Sequence, residues 1–272
     1  MPELPEVETV RRDLNRLLAG RVIGPVQGLF PGSVKGIGFK KFAGIIQGAK
    51  IAKVDRRAKY LLISLGSGLT LVIHLKMTGV LQHQQKDDPL PRSARIIFYF
   101  KDGTRLVFSD QRKFGSIKLT DDPNELPEIK KLGPEPLDGK FTPAVLKQRL
   151  AGRKGPVKTV LLDQTVLAGL GNIYVLEALH RAGIAPQRSA ALLKDEQIKK
   201  LHSAIVRTLK EAVAARGSSV DTYRDGQGKS GWFQVKHRVY DKEGLKCKKC
   251  GHTIVKEMFR GRGTYWCPKC QR

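Results

Sequence analysis

Apolar positions change their spacing along the chain, and each change marks a different kind of element. Val7, Val10, Leu14 and Leu17 recur at helical spacing, which predicts a helix over 5–18. Pro5 stands in its first turn, Glu6 and Glu8 at the positive end of the dipole, Arg11 and Arg12 beyond, and Gly20 after its end. From residue 22 to about 119 the repeat shortens to strands over 50–54, 60–64, 69–73, 95–100 and 105–108, with Gly66-Ser67-Gly68 and Lys101-Asp102-Gly103 as hairpin turns. A mostly antiparallel sandwich or barrel is predicted. The stretch 132–139 is rich in proline and glycine and reads as a boundary. Beyond it, helical patterns cover 144–150, 156–165, 173–182 and 193–215, so the second part is helical. Residues 224–231 hold glycine and polar residues with nothing apolar, which predicts a mobile loop. The fold class is α+β, divided into 1–133, a linker over 134–142, a helical domain over 143–223, a loop and connector over 224–240, and a terminal unit over 241–272.

Length and charge narrow the partners. At roughly 150 residues per domain, 272 residues suffice for about two domains with their own cores. Lys and Arg number 50 against 25 acids, a formal charge of +25, and the natural counter-charge is a polyanion. Hydrophobic residues make up 40% of the chain in patterned runs, which excludes disorder as the reason for the charge. Nucleic acid leads and an anionic membrane surface follows, because no stretch approaches the ~20 apolar residues of a spanning helix. The acidic, proline-containing start is unlike an export signal, so a soluble intracellular protein is expected.

All four cysteines fall in the last 26 residues as Cys247-x2-Cys250-x16-Cys267-x2-Cys270. Two such knuckles supply the four thiolates of a closed, structural zinc site, which holds a hairpin together and activates no water. Between 246 and 272 there are eight basic residues against Glu257 alone, which suits phosphate contact; a finger that binds protein is the other reading. Gly169-Leu170-Gly171-Asn172 lies between two helical patterns, where amides and the Asn172 side chain can hold a phosphate, or where one helix simply ends. With Met1 removed, Pro2 presents a secondary amine beside the Glu3 carboxyl group. An α-amino group of pKa roughly 7.7–8.0 is partly neutral and nucleophilic at physiological pH. Its attack on a sugar carbon leaves a cationic iminium, an electron sink that acidifies the next carbon and permits elimination of phosphate.

Several segments together carry a resemblance. Pro2-Glu3-Leu4-Pro5-Glu6-Val7-Glu8-Thr9-Val10, Arg56-Arg57-Ala58-Lys59-Tyr60, His74-Leu75-Lys76-Met77-Thr78-Gly79 and Asp110-Gln111-Arg112-Lys113-Phe114-Gly115 are followed by Asp163-Gln164-Thr165, Gly171-Asn172-Ile173-Tyr174 and Arg262-Gly263-Thr264-Tyr265-Trp266-Cys267. In this order, over nearly the whole chain, they resemble the bacterial formamidopyrimidine-DNA glycosylase family. The resemblance implies an amino-terminal β-sandwich with flanking helices, a helix-two-turn-helix domain and a zinc-finger hairpin. It implies double-stranded DNA as partner, one structural zinc and no catalytic metal, a monomer, and a cytoplasmic location. The implied activity is removal of oxidised purines, 8-oxoguanine and formamidopyrimidines, followed by β,δ-elimination through a Pro2 Schiff base. Pro2 then attacks C1′, Glu3 carries protons, Glu6 supports that pair, and Lys59 contacts phosphate and assists catalysis. Extruding a nucleotide leaves a hole that costs a few kcal/mol. Met77 is implied to occupy that space, Arg112 to bond the orphaned cytosine, and Phe114 to wedge the duplex. Asn172 and Arg262 are implied to clamp the flanking phosphates, while Ser218, Thr222 and the 224–232 loop close over the extruded base.

Four positions depart from the family pattern: Leu176 replaces an acid, Val80 a basic residue, and Asp241-Lys242 a Gly-Arg pair. Two other functions compete. An endonuclease VIII-type glycosylase for oxidised pyrimidines is disfavoured by Leu4, Arg112 and Phe114. A catalytically silent zinc protein that senses damage is disfavoured by Pro2, Glu3 and Lys59 occurring together.

Overall fold

A computed structural model describes all 272 residues. It divides into two compact units, Met1–Lys130 with Ala215–Trp232, and Lys131–Ala214 with Phe233–Arg272.

The first unit opens with helix α1 (Leu4–Leu18), which buries Val7, Val10 and Leu14 as its spacing predicts. Eight strands follow: β1 (Ile23–Gly28), β2 (Ile51–Arg57), β3 (Tyr60–Leu65), β4 (Thr70–His74), β5 (Gly79–Gln84), β6 (Ala94–Phe100), β7 (Arg105–Asp110) and β8 (Ser116–Thr120). They form two antiparallel sheets, ordered β1-β6-β7-β5 and β2-β3-β4-β8. Both sheets face one core, with Ile96, Phe98 and Phe108 from the first, Val54, Leu61 and Ile73 from the second, and α1 packed on the same cluster. The two expected hairpins are present: β3 pairs with β4 across Gly66-Ser67-Gly68, and β6 with β7 across Lys101-Asp102-Gly103. The strands that the apolar pattern does not reveal, β1, β5 and β8, all lie at sheet edges. Strand β1 contains Gly24 and Pro25, which an edge tolerates and a central strand does not. Residues 22–119 are also not purely strands, because helix α2 (Phe39–Ile46) inserts Phe42 and Ile46 into the core. A short helix, α3 (Pro127–Lys130), closes the first part of the unit.

The second unit carries α4 (Pro143–Leu150), α5 (Val157–Leu162), α6 (Asn172–Ala182) and α7 (Asp195–Ala214), then the hairpin β9 (Val255–Phe259) and β10 (Arg262–Trp266). Helix α4 starts where Thr142 Oγ1 accepts the Val145 N–H. Helix α5 is shorter than the predicted 156–165, because Asp163 turns its carboxylate onto the Thr165 N–H and hydroxyl. Left-handed Gly183 ends α6 and donates its N–H back to the last turn.

The segment from Ala215 to Trp232 packs with the first unit, although it directly follows the last helix of the second. The loop read as mobile has a defined turn in the structure. Buried Asp225 accepts the N–H groups of Gln227 and Lys229, and the Gly226 carbonyl accepts the N–H of His83 on β5. No helix is long and apolar enough to cross a membrane.

Candidate active site and metal centre

Pro2 is buried immediately before α1. Glu3 and Glu6 are only 3% and 2% exposed. Glu6 Oε2 accepts the Glu3 N–H at 2.8 Å and Oε1 the Ser218 N–H at 2.7 Å. Carboxylates in the first turn of a helix are favoured by its dipole, and Glu6 uses that position to fix the Pro2–Glu3 peptide. Gly217 makes the approach possible: a Cβ there would stand 2.7 Å from Glu6 Oε1. The Tyr223 hydroxyl, also buried, donates to the Arg216 carbonyl at 3.2 Å.

Lys59, 7% exposed, follows left-handed Ala58 at the β2–β3 turn. Arg56 ties this turn to α1, donating from Nη1 to the Ala58 carbonyl and from Nε to Glu8 Oε2. Burial pushes the Glu8 pKa up, but Arg11, Arg12 and Arg56 outweigh it and hold the group at about 2. Between pH 4.5 and 2 the unfolded chain therefore takes up a proton that the folded chain refuses. The stability Glu8 contributes is complete above pH 4.5 and falls as pH drops through that window. A melting-temperature series of the protein and Glu8→Gln should show a gap that is constant above pH 5 and closes towards pH 2; a gap independent of pH would refute the assignment.

His74 lies beside Lys59. Burial, with the charges of Lys76 and Lys59, lowers its pKa to about 3, so it is neutral at physiological pH. Its Nδ1 accepts the Lys76 N–H, which leaves the proton on Nε2.

Met77 and Phe114 are exposed to 40% and 55%, uncommon for side chains of this size. They stand on two turns joined by Asp110, which is 1% exposed. Its carboxylate accepts the Thr78 hydroxyl at 2.5 Å, the Arg112 N–H at 3.2 Å and the Gly115 N–H at 2.6 Å. The Arg112 guanidinium lies over the Phe114 ring, 4.8 Å from its centroid. One buried acid thus sets both turns, so that Met77, Arg112 and Phe114 form one protruding group.

In the second unit, Asn172 occupies the first turn of α6, and its Nδ2 donates to the Gly263 carbonyl beside Arg262. Lys158 of α5 is 1% exposed and donates from Nζ to Thr264 Oγ1 at 2.6 Å. Burial, together with the Arg262 charge, lowers its pKa to about 8. Two cations, buried Lys158 and exposed Arg262, and the Asn172 amide therefore sit together at the start of β10.

The four cysteine sulfurs lie within 4.8 Å of one another. Cys247 and Cys270 are 3.9 Å apart and Cys250 and Cys267 3.5 Å, too long for disulfides. A tetrahedron with ~2.3 Å metal–sulfur bonds has edges of about 3.8 Å, so the residues fit a four-thiolate zinc. His180 Nε2 faces Cys247 Sγ at 3.4 Å. Leu176 is fully buried against Val239, Cys247, Ile254 and Cys267, which gives its departure from an acid a packing role at the finger. Val80 pairs with Ser109 within β5 and β7, and Asp241 is left-handed in the turn before the finger.

The structure brings Pro2, Glu3, Glu6 and Ser218 together, groups Met77 with Arg112 and Phe114, and joins Asn172 to the Arg262 hairpin. Thr222 is half-buried, next to buried Tyr223. Sequence reasoning assigned no role to Asp110, Arg56, Lys158, Gly217 or Tyr223. Lys158 could have been noticed as a cation in the apolar run of α5; the others each meet a partner far along the chain, Glu8 for Arg56, Thr78 for Asp110, and Glu6 for Gly217 and Tyr223.

Residues 1–117 match the family model of the formamidopyrimidine-DNA glycosylase N-terminal domain, 132–224 that of its H2TH domain, and 244–272 that of a zinc finger found in FPG and IleRS. The formamidopyrimidine-DNA glycosylase of Desulfitobacterium hafniense is 44% identical over 100% of both chains. That of Bacillus subtilis is 46% identical over 100% of this chain and 99% of its own. Among solved structures, a Lactococcus lactis FPG mutant in complex with a Fapy-dG-containing DNA superposes with a TM-score of 0.93 at 37% identity, covering 100% of both chains. The Lactococcus lactis Fpg with an abasic-site DNA gives 0.93 at 38% identity over 99% of both chains.

Proposed function

Because this chain belongs to the formamidopyrimidine-DNA glycosylase family, we propose that its buried amino terminus excises oxidised purines from DNA and then cuts the strand. The observation that carries the assignment of residues is Pro2 placed against α1, with Glu3 buried beside it and its amide fixed by Glu6. Once Met1 is removed, the Pro2 nitrogen attacks C1′ and the bond to the base breaks. The Glu3 carboxyl group delivers a proton as the sugar opens, leaving an iminium between Pro2 and C1′. Loss of a C2′ proton expels the 3′ phosphate, a second elimination expels the 5′ phosphate, and water releases the sugar fragment from Pro2.

Lys59, on the turn that Arg56 ties to α1, contacts phosphate near the lesion. The protruding Met77, Arg112 and Phe114 fill the space left by the extruded nucleotide. Asn172 and Arg262 bind phosphates from the second unit, and the zinc holds the hairpin that carries Arg262. Ser218 and Thr222 belong to the segment facing the extruded base. The protein works as a monomer in the cytoplasm.

Borohydride added to the protein with a duplex carrying 8-oxoguanine opposite cytosine should trap a covalent adduct at Pro2. A matched oxidised-pyrimidine duplex should react more slowly. Binding without any adduct would favour a silent damage sensor, and faster reaction with the pyrimidine lesion would favour the endonuclease VIII type.

A further inference from the structure

Arg216 and Gly217 are consecutive residues with left-handed backbones, φ 60° and 82°. That conformation is unfavourable for arginine, and here it is held by two buried acids. Arg216 Nη2 lies 2.5 Å from Asp13 Oδ2 on α1 and 2.5 Å from Asp225 Oδ2, and its Nε lies 3.0 Å from the same Asp225 oxygen. Asp13 is 4% and Asp225 0% exposed. The other Asp225 oxygen closes the 225–229 turn through two N–H groups. The next two residues after Arg216 meet Glu6: Gly217 by a contact no Cβ could share, Ser218 by its N–H. Glu6 in turn holds the Glu3 N–H.

We propose that Arg216 is a positioning residue for the amino-terminal chemistry: its guanidinium, clamped between Asp13 and Asp225, sets Gly217 and Ser218 against Glu6 and so fixes the Pro2–Glu3 peptide. The inference rests on the assignment of Pro2 and Glu3 made above. It links the seating of the 225–229 turn on α1 to the placement of the nucleophile. A forked guanidinium spans both acids at once, whereas a lysine supplies one point of charge and cannot keep this geometry.

The test uses the full zinc-loaded chain with Met1 removed, and compares it with Arg216→Lys and Gly217→Ala. The second variant keeps the Arg216 side chain but pushes a methyl group towards Glu6 and places alanine at φ 82°, a conformation L side chains rarely adopt. It also serves should Arg216→Lys fold poorly. Amide hydrogen exchange by NMR at Glu3 and Ser218, with Ile73 of β4 as control, reads the link without any activity. Single-turnover cleavage of a saturating abasic-site duplex, beside affinity for a tetrahydrofuran duplex, reads its effect on chemistry.

In both variants, exchange at Glu3 and Ser218 should rise at least tenfold with Ile73 unchanged. Cleavage should slow at least tenfold, while affinity moves less than threefold. Unchanged exchange at Glu3 overturns the proposal whatever the activity, and so does faster exchange with cleavage at the normal rate. Faster exchange in a protein whose unaltered form never yields an adduct keeps the link from Arg216 to Glu3 and refutes the assigned chemistry instead.

Discussion

Protein that retains Met1, or whose Pro2 is acetylated, should give no borohydride-trapped adduct above background. The nitrogen of Pro2 is then an amide, whose lone pair is delocalised into the carbonyl and no longer nucleophilic. The effect is larger than that expected for Glu3→Gln, which on the proposed function removes general acid–base assistance worth roughly 10²–10⁴-fold. DNA affinity should change less than threefold in either case, because the DNA contacts proposed for Asn172, Arg262 and the protruding Phe114 do not depend on the terminal nitrogen. The measurement is adduct yield on an abasic-site duplex, alongside fluorescence anisotropy on a tetrahydrofuran duplex. Adduct formation by protein shown by mass to retain Met1 would place the nucleophile elsewhere.

Removal of zinc should abolish specific DNA binding, with affinity falling at least a hundredfold. Structural zinc in small fingers supplies about 10–16 kcal/mol of folding free energy, far more than the finger can recover from its small apolar cluster. That cluster includes Cys247 and Cys267 themselves. Without metal the hairpin loses its anchor, and the bonds from Asn172 to Gly263 and from Lys158 to Thr264 go with it. Buried Gln271, which joins the Cys267 N–H to the Ile184 carbonyl, would lose its place as well. Titration with a chelator should lower anisotropy binding and release one zinc per chain together. Full affinity in protein proved free of zinc would remove the finger from the binding surface.

Helices and central strands were legible in the sequence because their apolar spacing faces one core; α1, α6, β3 and β4 lie within a residue or two of the pattern. The edge strands β1, β5 and β8 were not, because a strand paired on one side bears glycine, proline and polar residues without penalty. Helix α2 was hidden among strands, its eight residues being too few to show a period clearly. At the site, the cysteine spacing gave the metal centre directly, since ligand chemistry limits the possible spacings. Pro2 and Glu3 stood out by their chemistry once the wider resemblance was in view. Asp110 did not, because its role is to receive the Thr78 hydroxyl and two backbone N–H groups, and those partners meet only in the folded chain. Arg216 was equally silent, its partner Asp13 lying 203 residues away.

That separation sets an order of events during synthesis. Ser218 leaves the ribosome 212 residues after Glu6, which at ~5–20 residues per second is roughly 10–40 s later. Until then α1 has neither the second amide on Glu6 nor the Arg216 bridge. A stalled or truncated product ending before this segment has Pro2 but lacks the Ser218 N–H on Glu6 and the Arg216–Asp13 bridge. On the proposed function, strand cutting then waits until the chain has been made past residue 218.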